Sequence, residues 1–229
     1  MIAMIKRRIK KILKKKVKNI IGHPGNKQQE AMKCMMPFLK EWKLDQGDYL
    51  EFGVWRGSSF VEAYKMADKL GIDHMKFYAF DSFEGLPGIE GRDADYEFFK
   101  DGQYSCSEKE FRQILSNNDI DMDKVIIVPG YFDQTLSDEL KQKLTLKRAA
   151  IVWIDCDLYK STIPVLNFIT DYVTSGTFIV FDDWFSFGAD PHAGELRAAR
   201  EWLEKNQNMS LEYYRDYSNT GRIFLVQKW

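Results

Sequence analysis

Residues 49–60, Tyr-Leu-Glu-Phe-Gly-Val-Trp-Arg-Gly-Ser-Ser-Phe, restrict the possible folds of this chain more than any other segment. The segment begins with a short apolar run typical of a buried strand, and Gly53 and Gly57 then interrupt it. An apolar periodicity typical of a helix starts directly afterwards at Phe60. A strand, a glycine turn and a helix in this order are typical of the ligand-binding corner of a doubly wound sheet. We therefore predict that the chain folds around such a sheet.

Four further apolar runs predict strands that alternate with helices. The runs cover residues 76–81, 125–128, 149–155 and 177–182. Runs that are apolar throughout are typical of parallel strands that are buried on both faces of a sheet. Helical periodicity predicts the main helices over residues 27–43, 161–173 and 193–206.

The C-terminal tail predicts a different strand arrangement. Residues 211–214 and 222–226 are separated by a turn that contains Gly221, so we predict an antiparallel hairpin. The predicted fold is therefore α/β: a doubly wound, Rossmann-like, mostly parallel seven-stranded sheet with an antiparallel C-terminal edge hairpin and additional N-terminal helices. Residues 84–107 are the longest predicted loop, which suggests a lid over a site.

The N-terminal segment differs from the rest of the chain in charge. Residues 1–18 contain nine Lys and Arg and no acid, and the remaining 24 basic and 34 acidic residues give a net charge of −10. Because apolar residues recur there at helical spacing, we predict a basic amphipathic helical arm over residues 1–21. Its target is either an anionic membrane surface or a partner subunit. No aromatic residues interleave with these charges, which argues against nucleic acid.

The rest of the chain, residues 22–229, is predicted to form one domain that includes the helix over residues 27–43. No run of eighteen apolar residues occurs, so no membrane span is predicted. The three cysteines are widely spaced without a CxxC pattern, which favours a reduced, cytoplasmic location. Peripheral attachment to the inner face of the membrane through the basic arm is the open alternative.

Three predicted strands end in aspartate, at Asp81, Asp155 and Asp182, and Asp183 follows directly. Ligands of open α/β sheets bind at the carboxyl ends of the strands, so we expect these side chains to converge. Asp81, at the end of the second strand, is suited to accept the hydroxyls of a ribose. Asp155, Asp182 and Asp183 offer hard carboxylate oxygens without a nearby His or Cys cluster, which favours magnesium over zinc. The alternative is that one aspartate of the adjacent pair only caps the following segment.

Glu51 lies just before the first glycine, where a dinucleotide site would place a pyrophosphate. A negative charge at this position predicts a cationic or amine-bearing ligand. Ser58 and Ser59 stand at the predicted helix start and are candidate N-caps.

Residues 49–60 resemble the first motif of class I S-adenosylmethionine-dependent methyltransferases, in the metal-dependent form typified by catechol O-methyltransferase. Four further segments strengthen the resemblance: residues 79–87, 129–136, 154–162 and 181–184. Together the five segments resemble the macrocin O-methyltransferase group, which includes the mycinamicin and novobiocin sugar methyltransferases.

The resemblance implies a site for S-adenosylmethionine and Mg²⁺, and it implies a dimer. Glu51 would hold the methionine amine, and Tyr131 and Phe132 would lie near adenine. The residues expected to contact the cofactor are Glu51, Phe52, Gly53, Gly57, Ser58, Ser59, Asp81, Ser82, Gly130, Tyr131, Phe132 and Asp155. The expected metal ligands are Asp155, Asp182 and Asp183.

The implied reaction is magnesium-dependent methyl transfer to a hydroxyl of a sugar, a glycosylated small molecule or a glycan precursor. Catechol-type enzymes place a lysine three residues after the first metal aspartate, whereas this chain has Leu158 there. We therefore expect Asp155 to be the catalytic base, with Asp157 and His192 as lesser candidates. Asp157, Trp184 and His192 are also weaker expected contacts to the substrate.

Two functions from other classes remain alternatives at this point. Asp155-Cys156-Asp157 also matches the DxD pattern of metal-dependent nucleotide-sugar glycosyltransferases, although that function leaves Glu51 unexplained. A nonenzymatic module that docks on a membrane or a partner through the arm is the third possibility, and the intact set of acids argues against it.

Overall fold

The structure, a computed structural model, describes residues 27–229. The predicted basic arm over residues 1–21 lies outside the described residues. Within the described range the strands are β1 (Asp48–Phe52), β2 (Phe77–Asp81), β3 (Val125–Pro129), β4 (Ala149–Ile154), β5 (Phe178–Phe181), β6 (Met209–Asp216) and β7 (Arg222–Lys228). The α-helices are α1 (Lys27–Glu41), α2 (Ser58–Lys69), α3 (Glu108–Asn117), α4 (Phe132–Thr135), α5 (Asp138–Lys143), α6 (Tyr159–Ile169) and α7 (Gly194–Lys205).

The strands form one seven-stranded sheet in the order β3-β2-β1-β4-β5-β7-β6. The strands from β1 to β5 pair in parallel, while β7 pairs antiparallel with both β5 and β6. This arrangement confirms the predicted doubly wound, Rossmann-like sheet with an antiparallel hairpin at its C-terminal edge. The order reverses between β1 and β4, and ligands of such sheets bind at that switch point.

Two apolar cores cover the two faces of the sheet. Helices α1, α2 and α3 pack on one face, where Phe38, Phe60 and Phe111 are buried. Helices α6 and α7 pack on the other face, where Phe168 and Trp202 are buried. Because side chains of successive strand residues point to opposite faces, runs that are apolar throughout supply both cores.

The predicted lid, residues 84–107, folds back onto the domain. Its base is closed by two backbone hydrogen bonds, from Leu86 N to Gln103 O and from Gly102 N to Leu86 O, both 2.9 Å long. The centre of the lid contains a short 3₁₀ helix (Gly91–Asp95). On either side of this helix, the lid residues Ile89, Tyr96 and Phe99 pack on a third, small apolar cluster built around Leu158 and Phe187.

No helix in the described part of the chain is both long and apolar enough to cross a lipid bilayer.

Candidate active site

A cleft with a volume of about 250 Å³ opens at the carboxyl ends of the parallel strands. The glycine turn after β1 lines it through Gly53, and the segments after β2, β4 and β5 line it through Asp81, Asp155 and Asp183. The strand-end acids therefore converge on one crevice, as the sequence predicted. The base of the lid and the first turn of α1 complete the walls.

An acidic cluster, Asp155, Asp157 and Asp183, lies in this cleft. One carboxylate oxygen from each residue lies within 4.8 Å of one from each of the others. Asp157 joins the cluster because its backbone is left-handed, with φ of 60°, immediately after β4. Three carboxylate oxygens at this spacing could hold a hard divalent cation such as Mg²⁺.

The electrostatics of the cluster fit a cation as well. Burial raises the pKa of Asp155 well above its usual range, and the charges of Asp182 and Asp183 add to the effect. Burial also raises the pKa of Asp157, and the adjacent Asp183 raises it further. Carboxylates this close repel one another unless a positive charge lies between them.

Glu195 fixes the position of Asp183. The Glu195 side chain is fully buried, and its Oε2 accepts a hydrogen bond of 2.9 Å from the backbone N–H of Asp183. The Ser186 hydroxyl donates to Oδ1 of the same aspartate. The other oxygen of Glu195, Oε1, is buried without a hydrogen-bond partner among the residues that the structure describes. Glu195, at the start of α7, therefore holds the backbone of Asp183 in place, and its own pKa is raised well above its usual range by burial and, to a lesser extent, by the charge of Asp183.

Asp182, which the sequence predicts as a metal ligand, lines the cleft and has one carboxylate oxygen bound by a neighbouring side chain. Its Oδ1 accepts a hydrogen bond from the Tyr217 hydroxyl. Burial and the neighbouring Asp183 raise the pKa of Asp182 to about 7. Asp182 lines the cleft but is not part of the acidic cluster, so its role as a metal ligand stays a prediction.

Asp81 holds the glycine turn in shape. Its Oδ2 accepts hydrogen bonds from Val54 N at 2.7 Å and Trp55 N at 3.1 Å, and its Oδ1 accepts one from Phe83 N at 2.7 Å. Each carboxylate oxygen can accept more than one hydrogen bond, so the predicted contact to a ribose remains compatible with this arrangement. Asp81 lines the cleft.

Glu51 is fully buried behind the glycine turn. Its Oε1 accepts a hydrogen bond of 2.5 Å from the Ser59 hydroxyl, and its Oε2 accepts one from the Tyr49 hydroxyl. Burial raises the pKa of Glu51 to about 8. The predicted capping role of the two serines is wrong: Gly57 is the N-cap of α2, without a side-chain cap, and both serines lie inside the helix. Ser59 instead orients Glu51.

The predicted cofactor contacts divide into two groups. Those that line the cleft are Gly53, Asp81, Ser82, Tyr131, Phe132 and Asp155. Those that do not line it are Glu51, Phe52, Gly57, Ser58, Ser59 and Gly130. Two residues of the second group contact the strand that carries Asp81. Gly130 N donates to Asp81 O at 2.8 Å, and Phe52 stacks on Phe80, next to Asp81 in β2, with ring centroids 4.5 Å apart. The roles of both groups in binding stay predictions.

The weaker predicted substrate contacts lie in different places. Asp157 belongs to the acidic cluster. Trp184 packs between Phe181 and Phe224, with centroid distances of 5.1 and 4.8 Å, and does not line the cleft. His192 is exposed on the loop before α7 and is also outside the cleft lining.

Sequence reasoning missed Asp93, which ties the lid to the site. Asp93 Oδ2 accepts a hydrogen bond of 2.7 Å from Tyr159 N, and Oδ1 accepts one of 2.9 Å from Gly194 N. These are the first residues of α6 and α7, and neither helix has a side-chain cap of its own. One buried lid carboxylate therefore caps both helices that begin beside the acidic cluster. No local sequence signal shows this, because the partners are 66 and 101 positions away.

Several further cleft residues carried no sequence signal of their own. They are Gln28, Trp55, Gln103, Tyr104, Lys160 and Ser161. The position of Lys160 is informative, because it lies one turn beyond the acidic cluster and its Nζ is 3.4 Å from Glu90 Oε1 in the lid. The lid and the start of α6 thus contact each other beside the cleft.

Comparison with known proteins identifies one family. A protein-family model described as macrocin O-methyltransferase matches residues 26–208. Among curated proteins, demethyldecarbamoylnovobiocin O-methyltransferase of Streptomyces niveus is 28% identical over 143 residues, which are 60% of this chain and 53% of the relative. The 8-demethyl-8-(2,3-dimethoxy-alpha-L-rhamnosyl)-tetracenomycin-C 4'-O-methyltransferase of Streptomyces olivaceus is 29% identical over 143 residues, with the same coverage of 60% and 53%. The chain spans about half the length of the curated relatives it matches.

A solved structure shows the same fold. The O-methyltransferase NovP superimposes with a TM-score of 0.72 at 23% sequence identity, over 90% of this chain and 82% of NovP.

Proposed function

The chain belongs to the macrocin O-methyltransferase family, and from this membership we propose that it transfers a methyl group from S-adenosylmethionine to a hydroxyl of a sugar. The acceptor would be a free or activated sugar, a glycosylated small molecule or a glycan precursor. The names of two relatives support a sugar-bearing acceptor, because one acts on a novobiocin precursor and the other on a rhamnosyl-tetracenomycin. Neither the glycosyltransferase alternative nor the nonenzymatic alternative is favoured by family membership.

One observation carries the proposal: an acidic cluster and a glycine turn face the same cleft. Gly53 and Asp155 both line it, and Asp157 and Asp183 stand beside Asp155. A sulfonium donor and a divalent cation are both positively charged, so a cleft with this charge suits both. Without a bound cation, a pyrophosphate-bearing ligand would meet repulsion from the same acids.

The cofactor supplies an activated methyl group, so the protein must mainly align it with the acceptor oxygen. Such positioning lowers the barrier by up to about 7–11 kcal/mol when the reacting atoms are well oriented. The glycine turn, held by Asp81, and the residues Tyr131 and Phe132 form one wall of the cleft for the donor. The acidic cluster defines where the acceptor hydroxyl lies.

We propose Asp155, Asp157 and Asp183 as the ligands of Mg²⁺, and Asp182, which the sequence predicts, is the alternative to Asp157. When bound, the ion would lower the pKa of a hydroxyl. Asp155 is our choice for the group that accepts the hydroxyl proton, because it lines the cleft directly after β4, beside the glycine turn. Its backbone N–H donates a hydrogen bond of 2.9 Å to Phe52 O, the last residue before that turn. Asp157 is the second choice, since its carboxylate lies in the same cluster.

The assembly and location of the protein remain proposals drawn from the sequence. We propose a homodimer and a peripheral contact between the basic arm, residues 1–21, and anionic membrane. Co-sedimentation with vesicles that contain phosphatidylserine, compared with neutral vesicles, tests the second point using the full chain and a chain that lacks residues 1–20. Equal binding of both chains would contradict it.

A methyl-transfer assay tests the proposed function. The protein is incubated with S-adenosylmethionine, Mg²⁺ and a panel of pyranosides that includes methyl α-L-rhamnopyranoside and an aryl rhamnoside, and S-adenosylhomocysteine is measured. We expect turnover that depends on the acceptor and that is lost when EDTA removes Mg²⁺. In Asp155→Asn the turnover should fall by about 100-fold or more. Asp95→Asn, which alters an exposed acid outside the cleft, should keep turnover. Acceptor-dependent turnover that is unchanged in Asp155→Asn would refute the assigned base.

A further inference from the structure

Two exposed aromatic side chains stand at the mouth of the cleft. In the described part of the chain the large hydrophobic side chains that remain exposed are Trp55, Phe98, Tyr104, Tyr213 and Trp229. Of these, only Trp55 and Tyr104 line the cleft. Their exposed fractions are 45% and 41%. Large aromatic rings left open beside a polar site indicate a binding surface.

The two rings form a pair that joins separate parts of the fold. Trp55 belongs to the glycine turn after β1 and Tyr104 to the lid, and their ring centroids lie 5.4 Å apart at an interplanar angle of 71°. An edge-to-face contact covers a face of only one of the two rings, and Arg56 Cζ lies 5.6 Å from the Trp55 ring centroid, so part of the ring surface stays open to a third partner. Trp55 and Tyr104 therefore form an aromatic corner at the mouth of the cleft and are not part of an apolar core.

The backbone of both residues is strained. Trp55 has φ of 40° and Tyr104 has φ of 62°, which is the left-handed region that bulky L-residues rarely adopt. Asp81 holds the first through its hydrogen bond with Trp55 N, and the closed base of the lid holds the second beside Gln103. Strain that the surrounding structure maintains is characteristic of functional sites.

Tyr104 also lies within electrostatic reach of the acidic cluster. Partial burial raises its pKa, and the charges of Asp157, Asp183 and Asp155 raise it further. The aromatic corner is thus adjacent to the carboxylates that define the position of the acceptor hydroxyl. A ring that stacks on the corner would place its hydroxyl groups toward these acids.

We propose that Trp55 and Tyr104 form the acceptor subsite, on which the apolar C–H face of a pyranose ring stacks while one of its hydroxyls points to the acidic cluster. This inference rests on the proposed function and names the chemistry of its acceptor. One face of many pyranoses carries several C–H groups, whose slightly positive hydrogens suit the negative face of an aromatic ring. The acceptor ring is then recognised by shape and stacking, and the lid contributes to its recognition through Tyr104.

Ligand-observed NMR tests the subsite without an assumption about turnover. Methyl α-L-rhamnopyranoside, methyl α-D-glucopyranoside and methyl β-D-galactopyranoside are titrated against full-length protein loaded with S-adenosylhomocysteine and MgCl₂. We expect at least one pyranoside to receive saturation from the protein and to show upfield shifts of the C–H protons on one face. Binding should weaken about tenfold in Trp55→Ala and in Tyr104→Ala, and Tyr104→Phe should restore it because the ring is kept.

Two controls separate this subsite from the donor site and from the fold. Phe98→Ala removes an exposed aromatic ring from the same lid but outside the cleft, so pyranoside binding should stay at the wild-type level. The affinity for S-adenosylhomocysteine, measured by calorimetry, should change less than about threefold in Trp55→Ala and Tyr104→Ala.

Three outcomes would overturn the inference. Wild-type protein that binds S-adenosylhomocysteine but none of the pyranosides would exclude a pyranose subsite while leaving the proposed donor intact. A loss of S-adenosylhomocysteine affinity equal to the loss for the sugar would assign the aromatic corner to the donor. Alanine variants that bind the pyranoside as wild type does would show that the rings do not contact it. Absence of S-adenosylhomocysteine binding in wild type would instead contradict the proposed function itself.

Discussion

The carbonyl oxygen of Asp155 occupies the space that a Cβ atom on residue 53 would need. Gly53 directly follows β1 and Asp155 directly follows the neighbouring β4, so the absence of a side chain allows the two strand ends to approach at the floor of the cleft. Gly53 also has a backbone φ of 84°, which favours glycine. The glycine turn and the acidic cluster therefore depend on each other through one backbone contact.

Replacing Gly53 by alanine should separate these strand ends. We expect Gly53→Ala to reduce the free energy of unfolding by about 3 kcal/mol or more, because the clash with the backbone adds to the strain of a positive φ. Gly91→Ala is the matched control: Gly91 has a positive φ of 63°, but a Cβ there would meet nothing within 4 Å. The free energy of unfolding of this control should fall by only about 1 kcal/mol. Urea unfolding of the two variants measures the difference, and equal losses would mean that the contact with Asp155 is unimportant.

Asp93 should stabilise both the lid and the two helices that it caps. Loss of a side-chain cap costs about 1 kcal/mol per helix end, so Asp93→Ala should lose about 2 kcal/mol of unfolding free energy. Hydrogen exchange should increase in the lid centre, residues 87–102. Asp95→Ala is the control, because Asp95 lies two positions away in an exposed ion pair with Arg92. Its free energy of unfolding should fall by at most about 1 kcal/mol. Equal hydrogen exchange of the lid in Asp93→Ala and wild type would argue that the lid is held by its apolar contacts alone.

The acidic cluster and the sequence pattern differ on the third proposed magnesium ligand, and a thermal-shift series decides between them. The acidic cluster contains Asp157, whereas the sequence pattern selects Asp182. A cation that binds only the folded protein raises its melting temperature as its concentration rises. We expect Mg²⁺ to stabilise wild type and Asp182→Asn, but not Asp157→Asn or Asp183→Asn. Stabilisation of Asp157→Asn together with loss of the effect in Asp182→Asn would favour the set predicted from sequence.

The ligand-free protein should lose stability as the pH rises, partly through Glu51. Its pKa is raised from 4.5 to about 8 in the folded protein, so the folded state holds the proton more tightly than the unfolded state. The contribution of this group is present at acidic pH and is lost as the pH rises through the interval between these two values. We expect the melting temperature in EDTA to fall over this interval, and to fall less in Glu51→Gln. Glu30→Gln, at an exposed helix position, should follow wild type. An identical pH profile for Glu51→Gln and wild type would show that Glu51 does not titrate as proposed.

Regular patterns in the sequence were sufficient to predict the sheet. Strands buried on both faces produce continuous apolar runs, and such runs mark β2, β3, β4 and β5 to within about two residues at each end. The strand-end rule then placed Asp81, Asp155 and Asp183 in one cleft. These predictions succeeded because each depends on a short stretch of chain and one general rule.

The parts that sequence reasoning missed depend on backbone conformation or on distant contacts. Asp157 joins the acidic cluster because of a single left-handed residue, and Tyr104 and Trp55 meet only when the lid folds back. Asp93 accepts hydrogen bonds from helices that lie far along the chain. The Ser59 hydroxyl donates to Glu51, which is buried beside it, and does not cap a helix. None of these contacts follows from residue type at a given spacing.

Calorimetric titration of the protein with S-adenosylhomocysteine, in the presence and absence of Mg²⁺, decides whether the cleft binds a methyl donor and a cation side by side. We predict one binding site per chain for S-adenosylhomocysteine. We also predict separate binding of Mg²⁺, which Asp183→Asn abolishes while the affinity for S-adenosylhomocysteine is largely kept. Failure of the wild-type protein to bind S-adenosylhomocysteine, or tight binding of a nucleoside diphosphate sugar in its place, would refute the proposed function.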